Sequence, residues 1–354
     1  MNKSHSWTKI YRRIVHIPRR LRKGNQYYQW YVVTRVWTDW KKKHLLPHYT
    51  QEFSNERTYG NEVVVIHNGW VHSNGLADRL RGIVSTYLLC KELGREFKLL
   101  FTHPFPLDLF LLPNTYDWRI DEKDISFSLQ QSRPIFLEVG GESRWQTKKQ
   151  KAQLKHRLKA SKRKQAHIYT NALFAYHEDF KGAFHELFKP SERLQSAIDR
   201  ELENLGNDYI SVSARFMGVL GDFVDTTGVE VLSKDQQNQL LHACVKTLEK
   251  IHHQHPDIPM LVNSDSTTFL DHARQLPYVY SIPGHILHLD LTEGARNEEQ
   301  LYQTYEKTIL DFFMIAHATE VYRLQGQWIY SKTGFPYAAS LVYGRPFHEA
   351  QIVL

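Results

Sequence analysis

Short β-branched runs alternate with longer segments of helical periodicity along most of the chain. The run Glu62–His67 predicts a buried strand, and Leu76–Leu93 carries apolar residues at helical spacing up to a stop at Gly94. A second strand is predicted at Phe97–Phe101. A strand, a glycine-containing loop, a helix and another strand in this order form a βαβ unit, which predicts a parallel sheet.

The second half of the chain repeats this rhythm. Its apolar runs predict strands at Tyr209–Ser213, Met260–Asn263, Val279–Ile282 and Glu320–Leu324. Its periodic segments predict helices at Lys234–His253, Phe269–Gln275, Gln300–Thr319 and Phe335–Val342. We therefore expect an arm over 1–50, an N-terminal α/β domain over 51–195 and a C-terminal α/β domain over 196–354.

Charge is distributed unevenly along the chain. Residues 1–50 carry a net charge of +11, and residues 144–166, a basic insertion in the N-terminal domain, carry +10. The whole chain carries only +7, so an acidic body of −14 bears two basic segments. Because 144–166 is nearly all polar, we expect an exposed helix or a loop there. The apolar content of 42% excludes a fully disordered chain.

Targeting and membrane signals are weak in this sequence. No segment approaches the roughly 18 uninterrupted apolar residues of a membrane span, and the basic start is not followed by an apolar signal segment. Two cysteines are too few for a disulfide framework or a zinc cluster. We expect a cytoplasmic protein. The basic, aromatic residues of 1–50 either lie on an anionic membrane, which makes the protein peripheral, or pack on the protein itself or a second subunit.

Four polar clusters follow predicted strands, at the edge where open α/β sheets bind ligands. In the first, Asn74–Gly82, a glycine permits a tight turn and arginines suit phosphate or carboxylate. In the second, Ser213–Arg215, the arginine suits a diphosphate or an ion pair with a buried acid. The third and fourth, Asn263–Thr268 and Tyr330–Pro336, offer hydroxyls and amides at helix starts. The first, third and fourth clusters are also compatible with ordinary helix capping.

The order and spacing of these clusters resemble those of the GDP-fucose-dependent fucosyltransferases, which include α1,2-, α1,6- and protein O-fucosyltransferases. Gly75–Gly82 is similar to the family's Gly-Leu/Phe-(Gly)-Asn-Arg/Gln loop, with Asp78 where asparagine is usual. Ser213–Arg215 is similar to the family's His-x-Arg strand end, with serine at the histidine position. The Arg-Gly-Asp continuation is matched loosely by Gly221–Phe223.

Three further segments carry the resemblance. Ser264–Ser266 looks like a Thr-Asp-Ser turn, and Tyr330–Phe335 looks like the family's Ser-Ser-Phe-x-x-Phe phosphate loop. Asp311 looks like the helix aspartate that contacts guanine. The resemblance spans about four-fifths of the chain and implies an α/β, GT-B-like fold, in which two Rossmann-like domains face each other across a cleft.

The implied function is that of an inverting glycosyltransferase, which moves fucose from GDP-fucose onto a glycan or lipid-linked acceptor in surface polysaccharide or glycoconjugate synthesis. Another nucleotide sugar stays open as the donor. The resemblance implies no metal and no cofactor. The implied catalytic residues are Arg215 and Asp222, with Asp225, Glu230 and the outlying Glu178 and Asp179 as other candidate bases. The implied donor-binding residues are Asn74, Gly75, Arg79, Arg81, Arg215, Ser264, Asp265, Asp311, Tyr330, Ser331 and Thr333.

Two other classes of function are open. Basic segments with interleaved aromatic residues are typical of nucleic-acid-binding proteins, but an acidic body and four cleft clusters have no use in such a protein. The departures at Asp78 and Ser213 are also compatible with an inactive, glycosyltransferase-like adaptor at a membrane. We therefore favour an enzyme whose basic segments, 1–50 and 144–166, dock an anionic membrane or a phosphorylated, lipid-linked acceptor.

Overall fold

A computed structural model describes residues 38–50, 61–71, 75–137, 144–159, 165–171, 177–223, 229–284 and 297–354. The α-helices are α1 (Thr38–Leu45), α2 (Leu76–Leu93), α3 (Arg144–Lys159), α4 (His177–Leu187), α5 (Glu192–Leu205), α6 (Lys234–Gln254), α7 (Thr267–Ala273), α8 (Glu298–His317) and α9 (Phe335–Tyr343). The strands are β1 (Glu62–His67), β2 (Glu96–Phe101), β3 (Leu111–Pro113), β4 (Ser132–Leu137), β5 (Gln165–Thr170), β6 (Phe188–Pro190), β7 (Ile210–Ala214), β8 (Met260–Ser264), β9 (Val279–Tyr280), β10 (Glu320–Gln325) and β11 (Phe347–Gln351).

The N-terminal half contains a parallel sheet of order β2-β1-β5-β4. The predicted βαβ unit is confirmed: β1, α2 and β2 follow one another, and α2 ends at Gly94, whose φ of 61° is left-handed. Strands β4 and β5 are not predicted by periodicity. In β5 the buried Gln165 accepts a hydrogen bond from the backbone N–H of Ser126 at 2.9 Å, so a polar residue is accommodated inside the sheet.

The C-terminal half contains a parallel sheet of order β11-β10-β7-β8-β9. The chain enters at β7, builds outward through β8 and β9, and then crosses to β10 and β11 on the other side of β7. Ligands of such doubly wound sheets bind where the strand order reverses, at the carboxyl ends of the two strands that flank the reversal. Here those strands are β7 and β10. The predicted alternation of strands and helices in this half is confirmed, and β11 is an additional strand.

One apolar core joins helices of both halves. It contains Val63 of β1, Ile83 of α2, Phe184 of α4 and Phe313 of α8, with the rings of Phe184 and Phe313 centred 6.3 Å apart. Within this shared core, α9 of the C-terminal half packs directly on α2 and α4, and α8 packs on α5.

Helix α5, where the predicted domain division at 195–196 falls, also contacts the C-terminal half. Arg193 of α5 binds the carboxylate of Glu299 in α8 with both terminal nitrogens, at 2.5 and 2.9 Å. Its guanidinium carbon lies 3.6 Å from the ring centre of Tyr302. The segment between the two sheets is therefore anchored to α8 by a bidentate ion pair and a cation–π contact.

The segment 144–166 is only partly as expected. Its residues 144–159 form α3, but Leu154 and Leu158 are buried in the core, so the expectation of a fully exposed helix or loop is wrong. The physical reason is that two leucines four residues apart supply an apolar stripe. Lys151 and Lys155 both pair with Glu92 of α2. Residues 1–37 of the arm and 160–164 of this segment lie outside the described residues. No helix among the described residues is long and apolar enough to span a membrane.

Candidate functional site

The first predicted cluster forms the start of α2, directly after β1. Gly75 is the N-cap residue of α2, and Gly82 lies about two turns further on. A Cβ on Gly82 would lie only 2.3 Å from the backbone oxygen of Thr170, at the carboxyl end of β5. The absent side chain therefore lets α2 approach the strand end closely. Asn74, predicted to bind the donor, lies outside the described residues.

Arg79 lies inside the protein. It is 1% exposed, its Nη1 donates to the backbone oxygen of His103, and its guanidinium carbon lies 5.5 Å from the ring centre of Phe101. The neighbouring His67, at the end of β1, is buried; burial and the positive charge of Arg79 lower its pKa well below the usual range. These contacts give Arg79 a role in holding the turn that follows β2, and its predicted role in donor binding stays a prediction.

Arg81 of the N-terminal half lies against a loop of the C-terminal half. Its Nη2 pairs with Oδ1 of Asp78 at 3.0 Å, and Gly334 of the fourth cluster lies against this pair. A Cβ on Gly334 would lie 3.0 Å from Nη1 of Arg81. The first and fourth predicted clusters, some 250 residues apart in the chain, are therefore neighbours in space.

The second and fourth clusters also meet. The backbone N–H of Tyr330 donates to the backbone oxygen of Arg215 at 2.9 Å, just beyond the carboxyl end of β7. Tyr330 is exposed, whereas Ser331 and Thr333 are half-buried. The hydroxyl-rich loop 330–334 thus runs beside Arg215 at the strand-order reversal, where the topology places a ligand.

Asp265 holds the turn that carries Arg215. Its two carboxylate oxygens accept hydrogen bonds from the backbone N–H groups of Phe216 and Met217, at 2.7 and 2.8 Å. Met217 has a φ of +55°, an uncommon conformation for a residue with a side chain. Burial raises the pKa of Asp265, and these N–H groups together with Arg215 partly oppose that rise. Asp265 therefore stabilises the turn that follows Arg215.

Asp222 caps α7. Its Oδ2 accepts hydrogen bonds from the Ser266 hydroxyl and the Thr268 backbone N–H, each at 2.7 Å. Burial alone would raise the pKa of Asp222, but these hydrogen bonds hold it below the usual range. Ser264 serves the same turn, because its hydroxyl accepts from the backbone N–H of Ser266 at 3.1 Å. A carboxylate with a lowered pKa is a weak proton acceptor, so the predicted catalytic role of Asp222 stays a prediction.

Asp311 has other partners. It pairs with Lys307, one turn earlier in α8, and faces the charge of Glu201 in α5. Burial raises its pKa, Lys307 opposes the rise and Glu201 adds to it. The predicted contact of Asp311 with a guanine base stays a prediction.

Two further polar residues lie at this edge: Arg323 was part of no predicted cluster, and Asn263 belonged to the third cluster but was not among the predicted binding residues. Arg323, in the middle of β10, donates from Nη1 to the backbone oxygen of Thr333 at 2.7 Å. Asn263, at the end of β8, accepts a hydrogen bond from the Ser213 hydroxyl at 2.5 Å. The available signal for Arg323 was a charged residue inside an apolar strand, where burial is costly unless the charge is used. Within the described ranges, no group of three or more His, Cys, Asp or Glu side chains is placed to hold a metal ion.

The sequence matches no family model and no curated protein. Solved structures do match. The NodZ α-1,6-fucosyltransferase co-crystallised with GDP aligns with a TM-score of 0.52 and 14% identity, over 80% of this chain and 93% of that chain. The same enzyme soaked with GDP-fucose gives 0.51 and 15%, over 80% and 92%. The fucosyltransferase NodZ from Bradyrhizobium gives 0.51 and 15%, over 80% and 94%.

The two parallel sheets and the likeness to these structures define the class of fold as GT-B, which confirms the predicted fold class. Within that class, the chain is similar in fold to the NodZ fucosyltransferase. At 14 to 15% identity, this likeness concerns the fold and leaves the activity to be argued from the site.

Proposed function

We propose that this protein is an inverting glycosyltransferase that transfers fucose from GDP-fucose. The observation that carries the proposal is the convergence of three clusters, distant in sequence, at the reversal between β7 and β10. The Tyr330 amide binds the Arg215 carbonyl, and Gly334 lies against Arg81. Cations, hydroxyls and a helix start gathered at this edge suit the diphosphate of a nucleotide sugar.

The donor assignment is supported by two independent likenesses. The motifs from Gly75 to Phe335 resemble those of GDP-fucose-dependent fucosyltransferases, and the fold resembles a fucosyltransferase studied with GDP and with GDP-fucose. The serine at position 213 stands where that family has a histidine, and its hydroxyl is bound to Asn263. A different sugar on the same nucleotide is therefore the nearest competing donor.

In the proposed reaction, an acceptor hydroxyl attacks the anomeric carbon of the donor. The bond from that carbon to the β-phosphate oxygen breaks, its electron pair stays on GDP, and the hydroxyl proton passes to a base. Arg215 stabilises the charge that grows on the diphosphate, and the loop 330–334 adds hydroxyl and amide donors. Asp265 and Asp222 hold the segments around Arg215 in place. The candidate bases after β7 are Asp222, Asp225 and Glu230, of which Asp225 lies outside the described residues. The outlying candidates are Glu178 and Asp179.

We further propose that the acceptor is a glycan, free or lipid-linked, presented at an anionic membrane surface. The support is the position of the two basic segments. Helices α1 and α3 both pack beside the edge strand β4, α1 through Leu45 on one face of the sheet and α3 through Leu158 on the other. Lys43 and Lys148 on these helices are exposed. Two segments that are separate in sequence thus flank one edge of the N-terminal half.

The donor proposal is tested by calorimetry with GDP, GDP-fucose, GDP-mannose and UDP-sugars. Removing a charge-assisted contact to the diphosphate by Arg215→Ala should weaken GDP binding about 10- to 100-fold. The matched control is Arg119→Ala, which removes an exposed arginine that pairs with its near neighbour Asp117. We expect the control to bind GDP as the unaltered protein does.

Three outcomes would contradict the proposal or part of it. Equal GDP affinity of Arg215→Ala and the unaltered protein would refute the role of Arg215. Binding of UDP-sugars in preference to GDP-sugars would refute the donor class. Tight GDP-fucose binding with neither transfer nor slow hydrolysis of the donor would favour the inactive adaptor over the enzyme.

A further inference from the structure

We propose that Arg323 is a positioning residue that orients the loop 330–334 toward the diphosphate of the donor, an inference that rests on the proposed function. Arg323 lies in β10 and is 7% exposed. Its Nη1 donates to the backbone oxygen of Thr333 at 2.7 Å, and its Nη2 pairs with Glu349 of β11. A single side chain thus connects two strands of the sheet to the loop that follows β10.

The burial of Arg323 needs an explanation. Removing a guanidinium from water is unfavourable unless its charge and its N–H groups are used. In the sheet, Arg323 lies in register with Ser213 of β7 on one side and Glu349 of β11 on the other. An aliphatic residue would suit this strand position as well, since Val321, two residues earlier and on the same face of the strand, is a buried core residue. The arginine differs from an aliphatic residue in its polar contacts, and of these the contact with Thr333 is the one that reaches the loop.

Because the peptide bond is planar, the contact between Arg323 and the Thr333 carbonyl also fixes the direction of the next backbone N–H. In a trans peptide the carbonyl of one residue and the N–H of the next point in opposite directions. Because the Thr333 carbonyl points at Arg323, the N–H of Gly334 points away from the strand. Gly334 is the N-cap residue of α9 and lies against Arg81 of the other half. Arg323 therefore directs an amide donor at a helix start away from the sheet, on the side where the halves meet.

Glu349 has a lesser part in this arrangement. Its side chain is 47% exposed, so solvent screens its pair with Arg323. It also binds the Gln325 amide at 3.2 Å. Replacing Glu349 removes the ion pair but leaves the bond between Arg323 and Thr333. This provides a matched control that changes the charge environment of Arg323 without changing its contact with the loop.

The test compares GDP with guanosine, which lacks phosphate, by calorimetry and ligand-observed NMR. We expect Arg323→Met to weaken GDP binding about 10-fold or more, the loss of a charge-assisted positioning bond, and to leave guanosine binding unchanged. Glu349→Gln should weaken GDP binding by no more than about 3-fold. Arg323→Lys, which keeps the charge but not the fork, should fall between the two.

The outcomes separate this inference from the proposed function. If the unaltered protein binds neither GDP nor GDP-fucose, the proposed function fails and the inference with it. If the unaltered protein binds GDP and Arg323→Met binds it equally well, or loses GDP and guanosine affinity to the same degree, only the inference fails. If Arg323→Met does not unfold cooperatively, Arg323→Lys decides: a GDP-selective loss supports the inference and unchanged GDP affinity overturns it.

Discussion

The close packing of α2 against the end of β5 can be tested directly at Gly82. A Cβ at this position would lie 2.3 Å from the backbone oxygen of Thr170, 3.0 Å from its carbonyl carbon and 3.2 Å from Cα of Asn171. All three are backbone atoms of the β5 end, so no side chain can rotate away. In Gly82→Ala the helix itself must move, by about 1 Å, to restore an ordinary contact distance of roughly 3.4 Å or more.

The expected magnitude follows from two opposing terms. Overpacking of this kind costs about 1–3 kcal/mol, and more where the surrounding structure is held firmly. Replacing glycine by alanine within a helix recovers about 1 kcal/mol. Because α2 is held by the buried Arg79 and by the core residue Ile83, we expect the steric term to dominate. With the steric term at the upper end of its range, about 3 kcal/mol, the free energy of unfolding should fall by about 2 kcal/mol.

Gly182→Ala is the matched control. Gly182 lies inside α4, and a Cβ there would meet nothing within 4 Å. This substitution should therefore raise the free energy of unfolding by about 0.5–1 kcal/mol. Urea unfolding followed by far-UV circular dichroism measures both changes, and equal slopes against denaturant would verify the comparison. A Gly82→Ala protein as stable as Gly182→Ala would refute the close approach of α2 to β5.

Two further predictions concern His167 and Asp265. Burial lowers the pKa of His167 to about 3, so the folded protein holds it neutral while the unfolded chain protonates near pH 6.5. Its contribution to stability is therefore complete above about pH 6.5 and is lost, by up to about 1.4 kcal/mol per pH unit, as the pH falls toward 3. Urea midpoints between pH 7.5 and 4.5 should show this slope, and His167→Gln should reduce it, the remainder coming from the likewise buried His67; an equal slope in both proteins would contradict the assignment. Asp265→Asn places one NH₂ group against a backbone N–H of the Arg215 turn, and should lower both stability, by about 1–3 kcal/mol, and GDP affinity. Unchanged thermal unfolding and unchanged GDP titration would rule out its role in that turn.

The elements that periodicity predicted are those whose burial can be read from the apolar residues of the local sequence. In β1, four consecutive apolar residues from Val63 to Ile66 are buried, as expected for a strand covered on both faces. Strand β5 is just as buried, but it contains Gln165 and His167. The hydroxyl of Tyr49, 118 residues earlier, lies 2.7 Å from Nδ1 of His167. A polar residue becomes a core residue only when such a partner is present, and local pattern does not contain that partner.

By itself the sequence determined the βαβ order, the two α/β halves, the four polar clusters and their placement after strands, because strand and helix periods and cap residues are local properties. Only the tertiary structure decided which clusters meet. The contacts of Arg81 with Gly334 and of Arg323 with Thr333 depend on the packing of α2 against the C-terminal half and on the return of the loop over β10. The tertiary structure also showed that Arg79 binds a turn and that Asp222 caps a helix. Hydrogen bonds of this kind join groups that are distant along the chain, so their partners are specified by topology rather than by spacing.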